Sequence, residues 1–236
     1  MFKKRTHKLE RIDTGDYTPE EYERFLREIR FINRFVGDVW ALEKTLLREI
    51  EKRDLQTFSV LDIGAGSGEL LRVIAKFARK QKRKAILFGL ELNTRAACAI
   101  LEESKNFDEI KAIRGDALNL PFADKSFDYA ICSLFTHHFT DEKVVEILSE
   151  MARISRQKIY VIDLHRHETA YRFYKIFCAV FRISPLVRED GSLSILRSFV
   201  PQELEKFGRE AHLTGISVTK YFPSRLVLQG NASQKI

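Results

Sequence analysis

The sequence predicts an α/β chain: a mostly parallel sheet, helices on both of its faces, and a helical N-terminal extension. Three observations predict it. From Phe58 onward, short apolar runs rich in β-branched residues alternate with helical patterns. A glycine loop, "GAGSG" from Gly64 to Gly68, joins the first apolar run to its helix. Acidic residues stand at the ends of three successive runs: Asp62, Glu91 and Asp116.

Taken in order, residues 1–17 read as a flexible basic tail and residues 18–53 as a helical extension or lid. Residues 54–236 form the main domain, with a helical insertion near 166–200. The extension opens on "TPEE", with Thr18 as N-cap, Pro19 at the first helical position and Glu21 three residues after the cap. Tyr22, Phe25, Leu26, Ile29 and Ile32 follow at helical spacing, Gly37 stops that helix, and Asp38 caps a second one. "FSVLDI", "AILFGLEL", "EIKAIRGD", "FDYAICSLF" and "KIYVIDL" read as five strands, with helices at Leu70–Arg79, "TRAACAILEES" and "DEKVVEILSEMARI". Beyond them come an aromatic helix, "HETAYRFYKIFCAVFRI", a short helix, "PQELEKFGREA", and two late antiparallel strands, "GISVTKYF" and "SRLVLQG".

Composition narrows the classes. Hydrophobic residues make up 44% and charged residues 31% of the 236, which is globular rather than disordered. The basic N-terminus lacks a following apolar stretch, so it does not read as a secretory signal. Cys98, Cys132 and Cys178 lie far apart in apolar contexts. Their spacing suits neither a zinc site nor a disulfide framework, so a reduced, cytoplasmic protein without a metal is expected. The net charge of +7 is clustered in the N-terminal segment and in "KFARKQKRK". Neither cluster interleaves aromatic residues for base stacking, so a nucleic-acid partner is disfavoured though not excluded.

A strand, a glycine loop and a helix place a ligand at the carboxyl ends of the strands. The dinucleotide fingerprint is G-x-G-x-x-G, with the pyrophosphate on the helix N-terminus. Here the spacing is G-x-G-x-G, and Glu69 occupies the last fingerprint position. A carboxylate there repels a pyrophosphate but tolerates a cationic ligand. S-adenosylmethionine carries a sulfonium and an ammonium and no phosphate. On this reading Asp62 and the loop Gly64, Ala65, Gly66, Ser67 and Gly68 approach its methionine portion, and Glu91 accepts from both ribose hydroxyls. Asp116 accepts from the adenine amine and the Ala117 amide donates to the ring. Leu92 flanks the base, and Ser133 and Leu134 pass the methionine portion.

"VLDIGAGSGEL", "GLELN", "GDALNLPFADKSFDYAICSLFTHHF" and "VIDLHRH" resemble the class I S-adenosylmethionine-dependent methyltransferases over roughly residues 58–164. The resemblance implies a Rossmann-like, seven-stranded sheet whose last strand is antiparallel. More loosely, the "GDALNLPF" run is similar to quinone and phenolic small-molecule methyltransferases. The expected function is methyl transfer to a hydroxyl or ring carbon of a phenolic, quinone or polyketide-like acceptor. An RNA or protein methyltransferase and a non-catalytic cofactor-binding partner subunit stand as alternatives. "CSLF" occupies the place where base N-methyltransferases typically carry an N/D-P-P-Y/F loop, which speaks against the first of these.

Methyl transfer needs alignment and exclusion of water, and an oxygen nucleophile can also need a base. His137 and His138 follow the fourth strand and are the candidate bases, against a packing role. His165 and Arg166 after the fifth strand are candidates for an anionic or phenolic substrate, against a helix-entry role. Tyr171 and Tyr174 on the aromatic helix are candidates for lining an apolar pocket, against core packing. The same helix with Arg172, Lys175 and Arg182 suits a peripheral membrane contact. The sequence leaves the oligomeric state open.

Overall fold

The computed structural model describes residues 2–33 and 37–232. Residues 34–36 of the expected extension lie outside them. The sheet has seven strands: β1 (Thr57–Ile63), β2 (Lys84–Glu91), β3 (Ile110–Arg114), β4 (Phe127–Ser133), β5 (Ser155–Leu164), β6 (Thr214–Tyr221) and β7 (Arg225–Asn231). Their order is β3-β2-β1-β4-β5-β7-β6. The first five strands run parallel, and β7 is antiparallel to both β5 and β6. The last strand thus inserts between β5 and β6. The order reverses direction between β1 and β4, and the glycine loop leaves the sheet at that reversal.

Helices pack around this sheet. Before β1 come α1 (Arg11–Thr14), α2 (Pro19–Asn33), α3 (Asp38–Leu42), a π-helical stretch (Glu43–Leu47) and α4 (Arg48–Lys52). The strands then alternate with α5 (Glu69–Lys80), α6 (Thr94–Glu103) and α7 (Asp141–Ile154). After β5 come α8 (Glu168–Val180), α9 (Pro185–Arg197) and α10 (Pro201–Glu210). The capping box expected at Thr18 is present: the Glu21 amide donates to Thr18 Oγ1 at 3.2 Å, and the Thr18 amide to Glu21 Oε2 at 2.9 Å.

Burial follows the strand patterns. Phe58 to Ile63 is continuously buried, as a parallel strand covered on both faces must be. One face of the sheet packs Leu61, Ile63, Ala130 and Cys132 against Val144, Leu148 and Met151 of α7. The other packs Val60, Leu87, Ile131 and Ile162 against Leu71 and Ile74 of α5 and Leu42 and Leu46 of the N-terminal extension. A third cluster lies apart, with Phe25, Ile29 and Ile32 of α2 meeting Cys178 of α8 and Val187 of α9.

Three features depart from the sequence expectation or go beyond it. Residues 2–17 are not a loose tail. Arg5 donates to the Arg197 carbonyl at 2.6 Å and the Phe139 carbonyl at 3.0 Å, pairs with Asp141 at 2.5 Å, and covers the Phe199 ring. The Asp190 carboxylate caps α1 by accepting from the Arg11 and Ile12 amides. Helix α9 falls inside the helical insertion expected near 166–200, but the sequence predicts no separate helix there. Its sequence has no apolar stripe, and Gly191 is its key residue: a Cβ there would lie 2.1 Å from the Tyr174 hydroxyl. Finally, "HETAYRFYKIFCAVFRI" packs with α2 in one helical layer, a contact the sequence does not specify.

The extension is tied to the sheet by one buried ion pair. Arg225 of β7 meets Asp38 at 2.5 and 3.0 Å, and both residues are under 10% exposed. Removing one partner leaves an uncompensated buried charge. Arg225→Ala is expected to cost about 3–5 kcal/mol in denaturant unfolding.

Candidate functional site

The carboxyl ends of β1, β2, β4 and β5 converge on one edge of the sheet, and the sequence-selected residues gather there. The glycine loop is built from backbone conformation. Gly64, Gly66 and Gly68 have φ of +68°, +58° and +79°, a region that side chains disfavour. Their alternation in sequence is the record of three left-handed residues. Their surroundings differ. A Cβ on Gly64 would lie 2.3 Å from the Phe135 ring, and one on Gly68 would crowd Ile100 at 3.1 Å. A Cβ on Gly66 would meet nothing within 4 Å, so the loop is open there.

Two acids flank the opening. The Glu91 side chain crosses from β2, where its Oε1 accepts the Gly66 amide at 2.5 Å. Asp62 ends β1 and is 2% exposed, and its Oδ1 has no hydrogen-bond partner. Burial, and then the charge of Glu91, push the Asp62 carboxyl well above the usual carboxylate range. Burial also raises Glu91, against hydrogen bonds from the Gly66 and Leu92 amides. A buried acid with a vacant acceptor oxygen fits a ligand that brings N–H donors and positive charge.

The remaining cofactor candidates stand nearby along the edge. Asp116 is exposed after β3, and its Oδ1 accepts the Leu118 amide at 3.0 Å, an Asx turn that presents the acid outward. Ala117 is buried beside it, and Leu92 is 66% exposed at the end of β2. Ser133 donates from β4 to Asp38 at 3.3 Å, joining the site to the N-terminal extension. Leu134 takes φ of +50° and donates its amide to the Ile162 carbonyl. A leucine so placed costs roughly 1–2 kcal/mol, the sort of strain that collects at functional sites.

The histidine candidates are placed differently from the expectation. His137 is 3% exposed. Its Nδ1 lies 2.7 Å from Asp163 Oδ1, and its amide donates to Asp163 Oδ2. Thr136 adds a hydroxyl to the same carboxylate at 2.7 Å. Burial alone would raise Asp163; His137 and these hydrogen bonds outweigh it and hold the carboxyl down at about 2. His138 stacks beside His137 with ring centroids 4.3 Å apart. Glu10 and Asp13 of the N-terminal segment stand beside the rings, and Arg197 of α9 donates to the main-chain carbonyls of both residues; His137 is enclosed and His138 is partly exposed.

The substrate candidates divide. Arg166 is 1% exposed and fully engaged. It pairs with Glu203 at 2.6 and 2.9 Å and donates to the Phe2 carbonyl at 3.0 Å and to the Ser198 carbonyl. It holds α10 and the N-terminal segment to β5 and has no capacity left for a substrate. Tyr174 donates to the Val187 carbonyl at 2.7 Å and packs on Gly191, which is core work. Tyr171 lies edge-on to Phe2, 5.7 Å between centroids. His165 is half-buried, and burial and then the Lys220 charge push its pKa down to about 4. It is therefore neutral at physiological pH. His167, two residues on, caps α8 by accepting the Thr169 amide.

The basic cluster at the end of α5 and just beyond it is partly neutralised. Arg79 makes two hydrogen bonds to Glu109, both at 2.7 Å, and Arg83 meets Asp54 at 3.0 Å. No helix among the described residues is long and apolar enough to cross a membrane.

Residues 60–158 match a family model described as a methyltransferase domain. Among curated proteins, an uncharacterized methyltransferase, YcgJ, of Bacillus subtilis is 29% identical over 42% of this chain and 36% of its own length. A demethylmenaquinone methyltransferase of Bacillus licheniformis is 24% identical over 52% of each chain. The aligned part thus spans about half or less of these relatives. Among solved structures, a magnesium protoporphyrin IX methyltransferase from Synechocystis with bound SAH superposes with a TM-score of 0.64. It is 14% identical over 94% of this chain and 99% of that one. Residues 60–158 are thus similar to a methyltransferase domain. Within it the open glycine loop, Asp62 and Glu91 occupy the switch point where such α/β sheets bind ligands.

Two outcomes test the loop. Gly66→Ala should cost only the left-handed backbone penalty, about 1–2 kcal/mol. Gly64→Ala should cost clearly more, because the Phe135 ring must also move; thermal unfolding of the two variants checks the order. For Asp62, the folded-state pKa is raised above the unfolded value of about 3.9. Its neutral form therefore supports the fold fully below about pH 4, and that support is lost as pH rises toward the folded-state value. Asp62→Asn should raise stability at pH 7 and flatten this fall, as pH-dependent unfolding curves would show.

Proposed function

We propose that this chain transfers the methyl group of S-adenosylmethionine to a hydroxyl or ring carbon of a small aromatic or quinone-like acceptor. The observation that carries the cofactor is the partnerless Asp62 oxygen beside the open Gly66 backbone. Three left-handed glycines let a ligand approach the main chain closely. Acids at positions 62, 69 and 91 surround that approach. A pyrophosphate would be repelled there, and the sulfonium and ammonium groups would not.

When bound, S-adenosylmethionine supplies an already activated methyl group. The residues of this chain bind and orient. Asp62 and the loop from Gly64 to Gly68 hold the methionine portion, with Ser133 and Leu134 on its other side. Glu91 accepts from the ribose hydroxyls, and Asp116 with the Ala117 amide reads the adenine edge against Leu92. What remains for catalysis is alignment in a water-poor site, worth up to about 7–11 kcal/mol when well oriented.

A small acceptor is supported by the demethylmenaquinone and porphyrin methyltransferases to which the chain is similar. His165, neutral and half-buried at the end of β5, can hydrogen-bond a phenolic hydroxyl, but its lowered pKa makes it a weak base for removing the proton. The outward face of α8 exposes Phe173, Ile176 and Val180 beside Arg172 and Lys175, which suits an apolar acceptor delivered from a lipid surface.

Isothermal calorimetry with S-adenosylmethionine should show binding by the wild type, and a loss of tenfold or more in Asp116→Ala and Glu91→Ala. Transfer of labelled methyl should be seen when phenols and quinones are screened, and not with tRNA. Absence of any binding by folded wild type would overturn the cofactor assignment.

A further inference from the structure

We propose that Glu10, His137 and His138 form a binding site for a divalent first-row transition ion, Zn²⁺ by default, which pins the N-terminal segment to the end of β4. One donor atom from each residue lies within 4.8 Å of the others. Two imidazoles and one carboxylate are a donor set suited to zinc with an open fourth position, and to other first-row divalent ions.

The surroundings are those of a prepared metal site. His137 presents Nδ1 to Asp163 at 2.7 Å, which fixes the ring and leaves Nε2 with its lone pair for an ion. A ligating histidine almost always donates its other nitrogen to a carboxylate or carbonyl in this way. Glu10 is 3% exposed, and its Oε1 accepts the Ser194 hydroxyl at 2.9 Å, so the carboxylate is oriented as well. His138 Nδ1 is buried and makes no hydrogen bond; Asp13 Oδ1 stands 3.5 Å away. A buried ring nitrogen with no contact better than this 3.5 Å approach is costly unless something engages it, either a proton shared with Asp13 or a metal ion.

Charge agrees. Glu10, Asp13 and Asp163 face the two rings. Two guanidinium groups lie near. Arg197 is 3.7 Å from Glu10 but is committed at 2.7 Å to Asp13 and to the His138 carbonyl. Arg5 is taken by Asp141 and by main-chain carbonyls. With Asp141 counted, four carboxylates against two guanidinium groups leave an excess of negative charge that a dication balances. The alternative is a metal-free cluster held by hydrogen bonds, by the Asp13–His138 contact and by Arg197.

Cobalt titration of the full chain after chelator treatment separates the two. One Co²⁺ per chain should bind, with visible d–d absorption. Glu10→Gln and His138→Ala should each weaken it at least tenfold, whereas His7→Ala, an exposed histidine on the same segment, should not. Zn²⁺ should raise the melting temperature of the wild type and not of the His138→Ala protein. That variant decides the matter if Glu10→Gln fails to fold, because the His138 ring is partly exposed. A wild type with no d–d absorption, or one whose absorption survives both substitutions, would overturn the site. The readout is metal binding, so it stands or falls separately from methyl transfer.

Discussion

Parallel strands cannot be joined by hairpins, and that constraint organises everything else in this molecule. Each parallel step among β1 to β5 needs a crossover, and each crossover leaves the carboxyl end of a strand at the same edge. Where the strand order reverses, between β1 and β4, the crossovers diverge and leave a crevice. Asp62, Ser133 and Asp163 are brought to one edge because each ends or nearly ends a strand. Chemistry far apart in sequence is gathered by topology.

The crevice stores unfavourable electrostatics. Asp62 is buried with an orphaned oxygen, Glu91 sits beside it, and Leu134 holds a left-handed backbone. None of these helps the fold. They persist because the strands on either side are buried on both faces and tightly registered. Stability spent in this way is the usual signature of a site kept ready for a ligand. The N-terminal segment adds a second layer over the same edge. Arg166, Arg197 and Arg5 act there as bolts between β5, α9, α10 and residues 2–14.

Much of this was legible in the sequence, and the reasons differ by residue. The five parallel strands and the glycine loop were readable because period, turn chemistry and burial all agree at those positions. Glu69 pointed away from pyrophosphate because charge is a property of the residue and not of its packing. Helix α9 was not readable as an element, since its buried positions follow no apolar stripe and Gly191 serves the Tyr174 ring rather than the helix. The ordering of residues 2–17 was missed for a related reason. A basic segment looks solvated until the partners of its side chains and amides, such as Asp141 for Arg5 and Asp190 for the Arg11 amide, are known from other parts of the chain. Arg166 and Tyr174 read as substrate groups because residue type does not reveal that their polar atoms are already occupied.

The central claim is that an acid-lined glycine loop at the switch point selects a cationic cofactor over a pyrophosphate. Competition dialysis of the wild-type chain against labelled S-adenosylmethionine and labelled NAD measures this directly. The account predicts saturable binding of S-adenosylmethionine that a large excess of NAD does not displace. Saturable binding of NAD, with none of S-adenosylmethionine, would contradict it.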